Sequence, residues 1–273
     1  MQMKTVEESV VTALDGGANL EIFPYLPYIL QDLWEIGTDP ETVISIIGRH
    51  FRSPEQVTML DLGCGKGAVS VKVAHHHGSC CHGIDAIPSF IQYARDKAIE
   101  FGVEKLCHFE VGDIRKAVKD MPSADVILLG AIGPVLGDYE STLNILQPHL
   151  KENGLIIIDD AYIAEDSEFR HPLILPYLEM KRQVKNAGFQ IVENLSLTEE
   201  EVVESEEPLF EPLKKRCLEL AAQYPEKQSL FLDYIKQQEI EGDVNARHAV
   251  CTTLALKQLH EKKINSTVCK GRM

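Results

Sequence analysis

The sequence predicts an α/β fold: a seven-stranded, mostly parallel sheet with helices on both faces. N-terminal helices precede it, and a helical insertion stands before the last strand. Three observations carry this expectation. Short apolar stretches at 57–62, 80–85, 106–111, 124–130 and 154–159 alternate with segments of helical periodicity, the pattern of repeated strand–helix units. The best of these stretches are near-continuous apolar runs, as strands buried on both faces require. Two further β-rich stretches, 189–195 and 249–256, flank a long segment of helical pattern.

Taken in order, Tyr28, Ile29, Leu33, Trp34 and Ile36 share a helical repeat that begins at Pro27 and ends at Gly37. Asp39-Pro40 then supplies an N-cap and a proline at the first helical position, opening a helix through Ile47 toward His50. The first strand carries Val57, Met59, Leu60 and Leu62, with Asp61 near its carboxyl end. Gly63, Gly65 and Gly67 remove Cβ atoms where the backbone must turn and admit a ligand. A helix follows through Ala74 and stops at Gly78. The second strand ends at Asp85, the next helix runs from Pro88 to before Gly102, and the third strand leads into Gly112-Asp113-Ile114. Later helices are expected from about Asp138 to His149 and from Pro172 to Ala187, with Gly188 as the stop.

A strand, a glycine turn and a helix N-terminus build a nucleotide-type site at the carboxyl end of a sheet. Gly63-x-Gly65-x-x-Ala68 also satisfies a dinucleotide fingerprint, and Asp85 stands where an acid accepts hydrogen bonds from ribose hydroxyls. Asp85 and Asp113 each have a plainer reading as caps of the helices that follow them.

On Leu60-Asp-Leu-Gly-Cys-Gly-Lys-Gly67, Gly83-Ile-Asp85, Glu110-Val-Gly-Asp113 and Ala124-Asp-Val-Ile-Leu-Leu-Gly130, the chain resembles the class I S-adenosylmethionine-dependent methyltransferases. The resemblance covers roughly residues 50–195, and it implies a Rossmann-like sheet whose last strand enters antiparallel near 247–257. It also implies S-adenosylmethionine as cofactor. Asp85, with Ala86 beside it, would meet the ribose diol. Asp113 would meet the adenine amine, and the Ile114 amide a ring nitrogen. Asp61 and the amides of Gly63 and Gly65 would lie near the methionine moiety, and Gly130 would line the cleft.

For the acceptor, Gly130-Ala-Ile-Gly-Pro-Val is not the Asn/Asp-Pro-Pro-aromatic signature that family members use on planar amides and base amino groups. Asp160 and Tyr162 are the candidates for proton transfer and pocket lining, against the alternative of a capped, solvated loop. Tyr28 and Trp34 are candidates to wall the acceptor, against plain core packing. No metal is expected. Strand four ends without an acid, and the run His75-His-His-Gly-Ser-Cys-Cys-His82 divides between a helix end and a strand of alternating directions.

Two rivals remain open: a nicotinamide-dependent oxidoreductase, and a protein that holds S-adenosylmethionine without turnover. The first is allowed by the glycines and Asp85 and is weakened by Asp113 and by the lone acid at Asp61.

The chain divides into an N-terminal flank (1–55), a core (56–196 and 247–259), a helical cap (197–246) and a polar tail (260–273). Within the cap, the acidic run 199–207 reads as a solvated face, followed by helical patterns around 213–224 and 226–240. At 273 residues and 44% hydrophobic content, the chain can bury a substantial core. It has no run of apolar residues long enough to span a membrane, and the N-terminus shows no apolar signal core. Seven scattered cysteines suit reduced thiols in the cytoplasm. A formal charge of −15 disfavours nucleic acid and leaves a small-molecule acceptor as the expected partner. Nothing in the sequence specifies the oligomeric state.

Overall fold

The protein is described by a computed structural model covering residues 4–15 and 19–259. Its strands are β1 (Thr58–Leu62), β2 (Cys80–Asp85), β3 (Cys107–Val111), β4 (Ala124–Gly130), β5 (Leu150–Ile163), β6 (Leu175–Pro176), β7 (Phe189–Ser196) and β8 (Val250–Gln258). They form one sheet in the order β3-β2-β1-β4-β5-β8-β7, with β6 paired to the end of β5. β8 runs antiparallel to both β5 and β7, and the other pairings are parallel. The seven expected strands are the seven of this path. The eighth, β6, is two residues long and leaves no periodic trace in sequence.

The helices are α1 (Val6–Asp15), α2 (Leu26–Ile29), α3 (Pro40–His50), α4 (Ala68–His77), α5 (Pro88–Glu100), α6 (Ile114–Ala117), α7 (Tyr139–Leu146), α8 (Tyr177–Asn186), α9 (Glu199–Gln223) and α10 (Gln228–Arg247). Strand residues alternate between two cores. Met59, Val126, Leu128, Leu155, Ile157 and Ala255 pack with α3, α4 and α5. Leu60, Leu62, Ile127, Ile156, Ile158 and Leu254 pack with α6, α7 and α8. This period of two, with both faces apolar, is why the central strands read as unbroken hydrophobic runs. Each fully buried side chain of this kind contributes roughly 1.5–3 kcal/mol.

A third core joins α2, α9 and α10. Ile22, Leu26, Ile29, Leu213, Cys217, Leu220, Phe231 and Tyr234 share it. The spacing of Leu213, Cys217, Leu220 and Ala221 puts one face of α9 against it. The distal half of the helical hairpin is thereby fixed to the N-terminal flank.

Several elements differ from expectation. The helix expected over 27–36 ends at Ile29, because the carbonyls of Leu30 and Leu33 accept hydrogen bonds from the Lys66 ammonium. The helix expected from Pro172 starts at Tyr177, since Leu175-Pro176 is extended and pairs with Tyr162 and Ile163. The helix from Asp138 closes at Leu146 and tightens into a 3₁₀ turn through Pro148. Strand five continues to Ile163, so Asp160, Ala161 and Tyr162 lie within β5 rather than in a loop after it. Their partners on β8, Thr252, Cys251 and Val250, extend the ladder past the expected end. The acidic run is the start of α9, opened by a capping box between Thr198 and Glu201. The expected tail, 260–273, lies outside the described residues.

Candidate active site

The strand order reverses between β1 and β4, and the crevice at such a point, at the carboxyl ends of the strands, is where open α/β sheets bind ligands. A cavity of about 340 Å³ occupies it here. Gly63, Gly65, Asp85, Ala86, Asp113, Ile114 and Gly130 line its floor, so seven of the residues singled out from sequence share one space. α1, α9 and α10 close it from above through residues such as Val10, Phe210 and Gln238.

The floor is shaped by the turn after β1. Gly63 and Gly65 have φ of 83° and 52°, a region that favours glycine. A Cβ on Gly63 would lie 2.5 Å from Ile132 Cγ2, whereas one on Gly65 would meet nothing within 4 Å. Gly63 is therefore required by packing, and Gly65 leaves backbone open to an occupant. Asp85 holds this turn in place: its Oδ2 accepts from the Gly65 N–H at 2.9 Å and its Oδ1 from the Ile87 N–H at 2.8 Å. Burial pushes the Asp85 carboxyl up, and the amides of Ile87, Gly65 and Ala86 pull it back.

Asp113 caps α6 through the Arg115 N–H and also takes the Arg115 guanidinium on both oxygens, at 2.8 and 3.0 Å. That ion pair holds its carboxyl below the ordinary range. Arg115 continues to Ser9 Oγ at 3.1 Å, tying the floor to α1. The capping and ligand-facing readings of Asp113 are thus compatible, because a carboxylate has more acceptor sites than these bonds fill.

Asp61 lies outside this cavity. It is buried behind the turn, where its Oδ2 accepts from Ser70 Oγ at 2.6 Å, and it borders a smaller space shared with Trp34 and Thr38. Burial pushes its carboxyl up to about 7, with Ser70 opposing and Asp85 adding. Because the folded value stands above the ordinary 3.8, the stabilising contribution is complete below about 3.8 and is lost as pH rises through about 7. Asp61→Asn is therefore expected to raise the denaturation midpoint at pH 8 and to leave it near the parent's at pH 4. Parallel midpoints for the two proteins across that range would refute the burial argument.

The remaining candidates do not converge. Tyr28 is 38% exposed, donates to Glu219 Oε2 at 2.8 Å and stays outside the cavity. Trp34 donates from Nε1 to the Lys66 carbonyl at 3.1 Å and packs on Phe101. Asp160 accepts from the Tyr139 hydroxyl at 2.8 Å on the α7 side of the sheet, in a separate space of about 190 Å³. Tyr162 packs against Tyr177, with ring centroids 4.7 Å apart. The acceptor grouping expected from Tyr28, Trp34, Asp160 and Tyr162 is thus not formed. Asp160 is turned aside by strand alternation, and Tyr28 is turned toward Glu219 on α9.

The upper cavity instead holds residues that sequence reasoning missed. Leu209, Phe210 and Leu213 of α9 supply apolar surface, and Glu206, Glu241 and Asn245 supply polar groups. Glu206 accepts from Asn245 Nδ2 at 3.0 Å, and Glu241 from Gln238 Nε2 at 3.2 Å. Gly242 was the available signal. A glycine inside a helix costs about 1 kcal/mol relative to alanine, and here a Cβ would lie 2.6 Å from Glu206 Oε2. The glycine makes room for that carboxylate.

Comparison with known proteins agrees with this geometry. A family model described as a methyltransferase domain matches residues 54–248. Among curated proteins, YjhP of Escherichia coli, itself described as uncharacterized, is 29% identical over 122 residues, 45% of this chain and 49% of YjhP. The ubiquinone biosynthesis O-methyltransferase of Rickettsia canadensis is 30% identical over 122 residues, 43% of this chain and 48% of that protein. The chain thus spans about half the length of these curated relatives. In fold it is similar to an S-adenosylmethionine-dependent methyltransferase from Geobacter sulfurreducens solved with S-adenosyl-L-homocysteine. The TM-score is 0.69 at 20% identity, over 86% of this chain and 98% of that one.

Proposed function

The chain belongs to the methyltransferase-domain family, and from that premise we propose that it transfers the methyl group of S-adenosylmethionine to a small organic acceptor. The observation that carries this reading is continuity: one cavity runs from the Gly65 turn and Asp85 to Phe210 and Gln238 under the helical hairpin. A cofactor on the floor and an acceptor under the hairpin would share that space.

The floor suits this cofactor. When bound, S-adenosylmethionine supplies a methyl group on a positively charged sulfur. Asp85, Asp113, Glu206 and Glu241 give the lining four carboxylates against the Arg115 guanidinium, which already pairs with Asp113. That balance favours a cation and opposes the pyrophosphate of a nicotinamide dinucleotide. Asp85, with Ala86 beside it, is the candidate for the ribose hydroxyls. Asp113 and the Ile114 N–H are candidates for the adenine edge. The Gly63 and Gly65 backbone and Gly130 would flank the remainder, with Asp61 behind the turn.

The rest of the task is positioning. An in-line displacement gains most of its rate from holding the acceptor atom on the axis of the bond that breaks. α1, α9 and α10 line the upper side of the cavity, and with both ligands bound this cover would limit the access of water. We read residues 197–246 as a cap in this sense. Its apolar lining would hold an apolar acceptor body, and Glu206 and Glu241 would receive hydrogen bonds, or a proton, from an amine or hydroxyl. The acceptor in this reading is neutral or cationic, and the net charge of −15 further opposes polyanions.

Among the described residues no helix is long and apolar enough to cross a membrane. Six cysteines among them are free thiols, which supports a reducing compartment such as the cytoplasm.

Calorimetry is expected to give saturable binding of S-adenosylmethionine and S-adenosylhomocysteine at roughly −7 to −8 kcal/mol, in the micromolar range. Methyl transfer is expected within a panel of amines and phenols, with none to tRNA or duplex DNA. Tight binding of a nicotinamide dinucleotide without either sulfur ligand would overturn the cofactor reading. Turnover confined to a protein or nucleic-acid acceptor would overturn the acceptor reading alone.

A further inference from the structure

We propose that His82, His108 and Glu110 form a zinc-binding site on the outer face of β2 and β3, distinct from the cavity and independent of the methyl-transfer reading. The backbone itself brings these residues together. His108 and Glu110 are two apart on β3 and so point to the same face. The parallel register places His82 of β2 directly beside His108.

The side chains converge. One ligand atom from each of the three lies within 4.8 Å of the others. His108 Nε2 is 2.7 Å from Glu110 Oε1, and His82 Nε2 is 3.4 Å from the same oxygen. The two imidazole rings stand edge to face with centroids 4.9 Å apart.

His82 supplies the second observation. Its Nε2 is buried and meets the Glu110 carboxylate at 3.4 Å, a long contact for a hydrogen bond. A buried polar atom held only by so long a contact carries a desolvation cost. A metal ion bound through the Nε2 lone pair removes that cost.

Two imidazoles and a carboxylate are ligands that zinc accepts, with water completing a tetrahedron. Bonds of about 2.0–2.2 Å to a tetrahedral ion put neighbouring ligand atoms roughly 3.3 Å apart. The 3.4 Å separation already matches this. The shorter contact needs only a small outward shift of His108, which is free to move because its side chain is 67% exposed. The consequence is a cross-link between β2 and the short edge strand β3. Edge strands present unpaired backbone groups and are the part of a sheet that most needs such support.

The histidine run at 75–77 is not part of the site. His75 packs on the Phe101 ring, and His77 Nε2 lies 2.9 Å from the Ile44 carbonyl. His82, the last residue of the same stretch, finds its companions on the neighbouring strand instead.

The test uses the full chain freed of metal by a chelator. Titration with zinc is expected to show one equivalent bound. Cobalt in its place should give the visible absorption of a tetrahedral ion. His108→Ala and Glu110→Gln should each weaken binding by about tenfold or more, and zinc should raise the thermal midpoint of the parent but not of these variants. Both substitutions are at exposed positions, so unchanged circular dichroism will confirm that each variant is folded. The proposal is overturned if no saturable equivalent binds. It is equally overturned if binding persists in His108→Ala and is lost when His75 and His76 are replaced.

Discussion

Asp85→Ala is expected to weaken S-adenosylmethionine binding by about 10- to 150-fold, or roughly 1.5–3 kcal/mol, while the sheet stays folded. The carboxylate lines the cavity and holds the Gly65 and Ile87 N–H groups, so it orients the turn, and in the proposed reading it would also offer acceptors to a ribose. It belongs to neither of the two sheet cores, which is why the fold is expected to persist. Asp85→Asn separates the two roles. It keeps a carbonyl oxygen for one amide but loses the charge, and is expected to fall between parent and alanine. Calorimetry with the two variants reads this directly. Parent-like affinity in Asp85→Ala would remove Asp85 from the cofactor site.

Lys66→Met is expected to lower the stability of the folded protein by about 2–4 kcal/mol. The Lys66 side chain is almost fully buried, at 4% exposure. Its ammonium donates to the carbonyls of Leu30 and Leu33 and lies 4.8 Å from the Tyr93 ring centroid and 5.4 Å from that of Phe90. Burial pulls this ammonium down to about 8, with Asp32 opposing. Methionine keeps the apolar stem but leaves both carbonyls without a donor. Chemical denaturation measures the loss. Hydrogen exchange should place the added opening at residues 30–37, which contribute Leu33, Ile36 and Gly37 to the cavity wall. A change below about 0.5 kcal/mol would show that the flank is held by its apolar contacts alone.

Lys66 also shows where sequence reasoning stops. Within Gly63-Cys-Gly-Lys-Gly67, nothing local says where the lysine side chain goes. In the fold it ties the N-terminal segment to the core through the Leu30 and Leu33 carbonyls. Arg115 is a similar case. Its neighbourhood with Asp113 follows from adjacent positions, but its bond to Ser9 joins residues far apart in the chain.

The floor of the cavity was legible in the sequence because it depends on short-range rules. A buried parallel strand must be apolar on both faces, its carboxyl end must turn, and a turn of left-handed backbone favours glycine. Asp85, Asp113 and Gly130 end or directly follow their strands, and parallel strands bring their carboxyl ends to one edge whatever the details of packing. Those constraints determined the sheet, the glycine turn and the acids along it. The roof, by contrast, was decided by tertiary structure. Strand alternation sends Asp160 to the α7 side, the Lys66 bonds end α2 before Trp34 can join a helix over the cleft, and Glu206 meets Gly242 only because α9 and α10 fold back on each other. Local periodicity tells which face of a helix is apolar, but not which distant element that face will meet. That choice belongs to the packing of the whole chain.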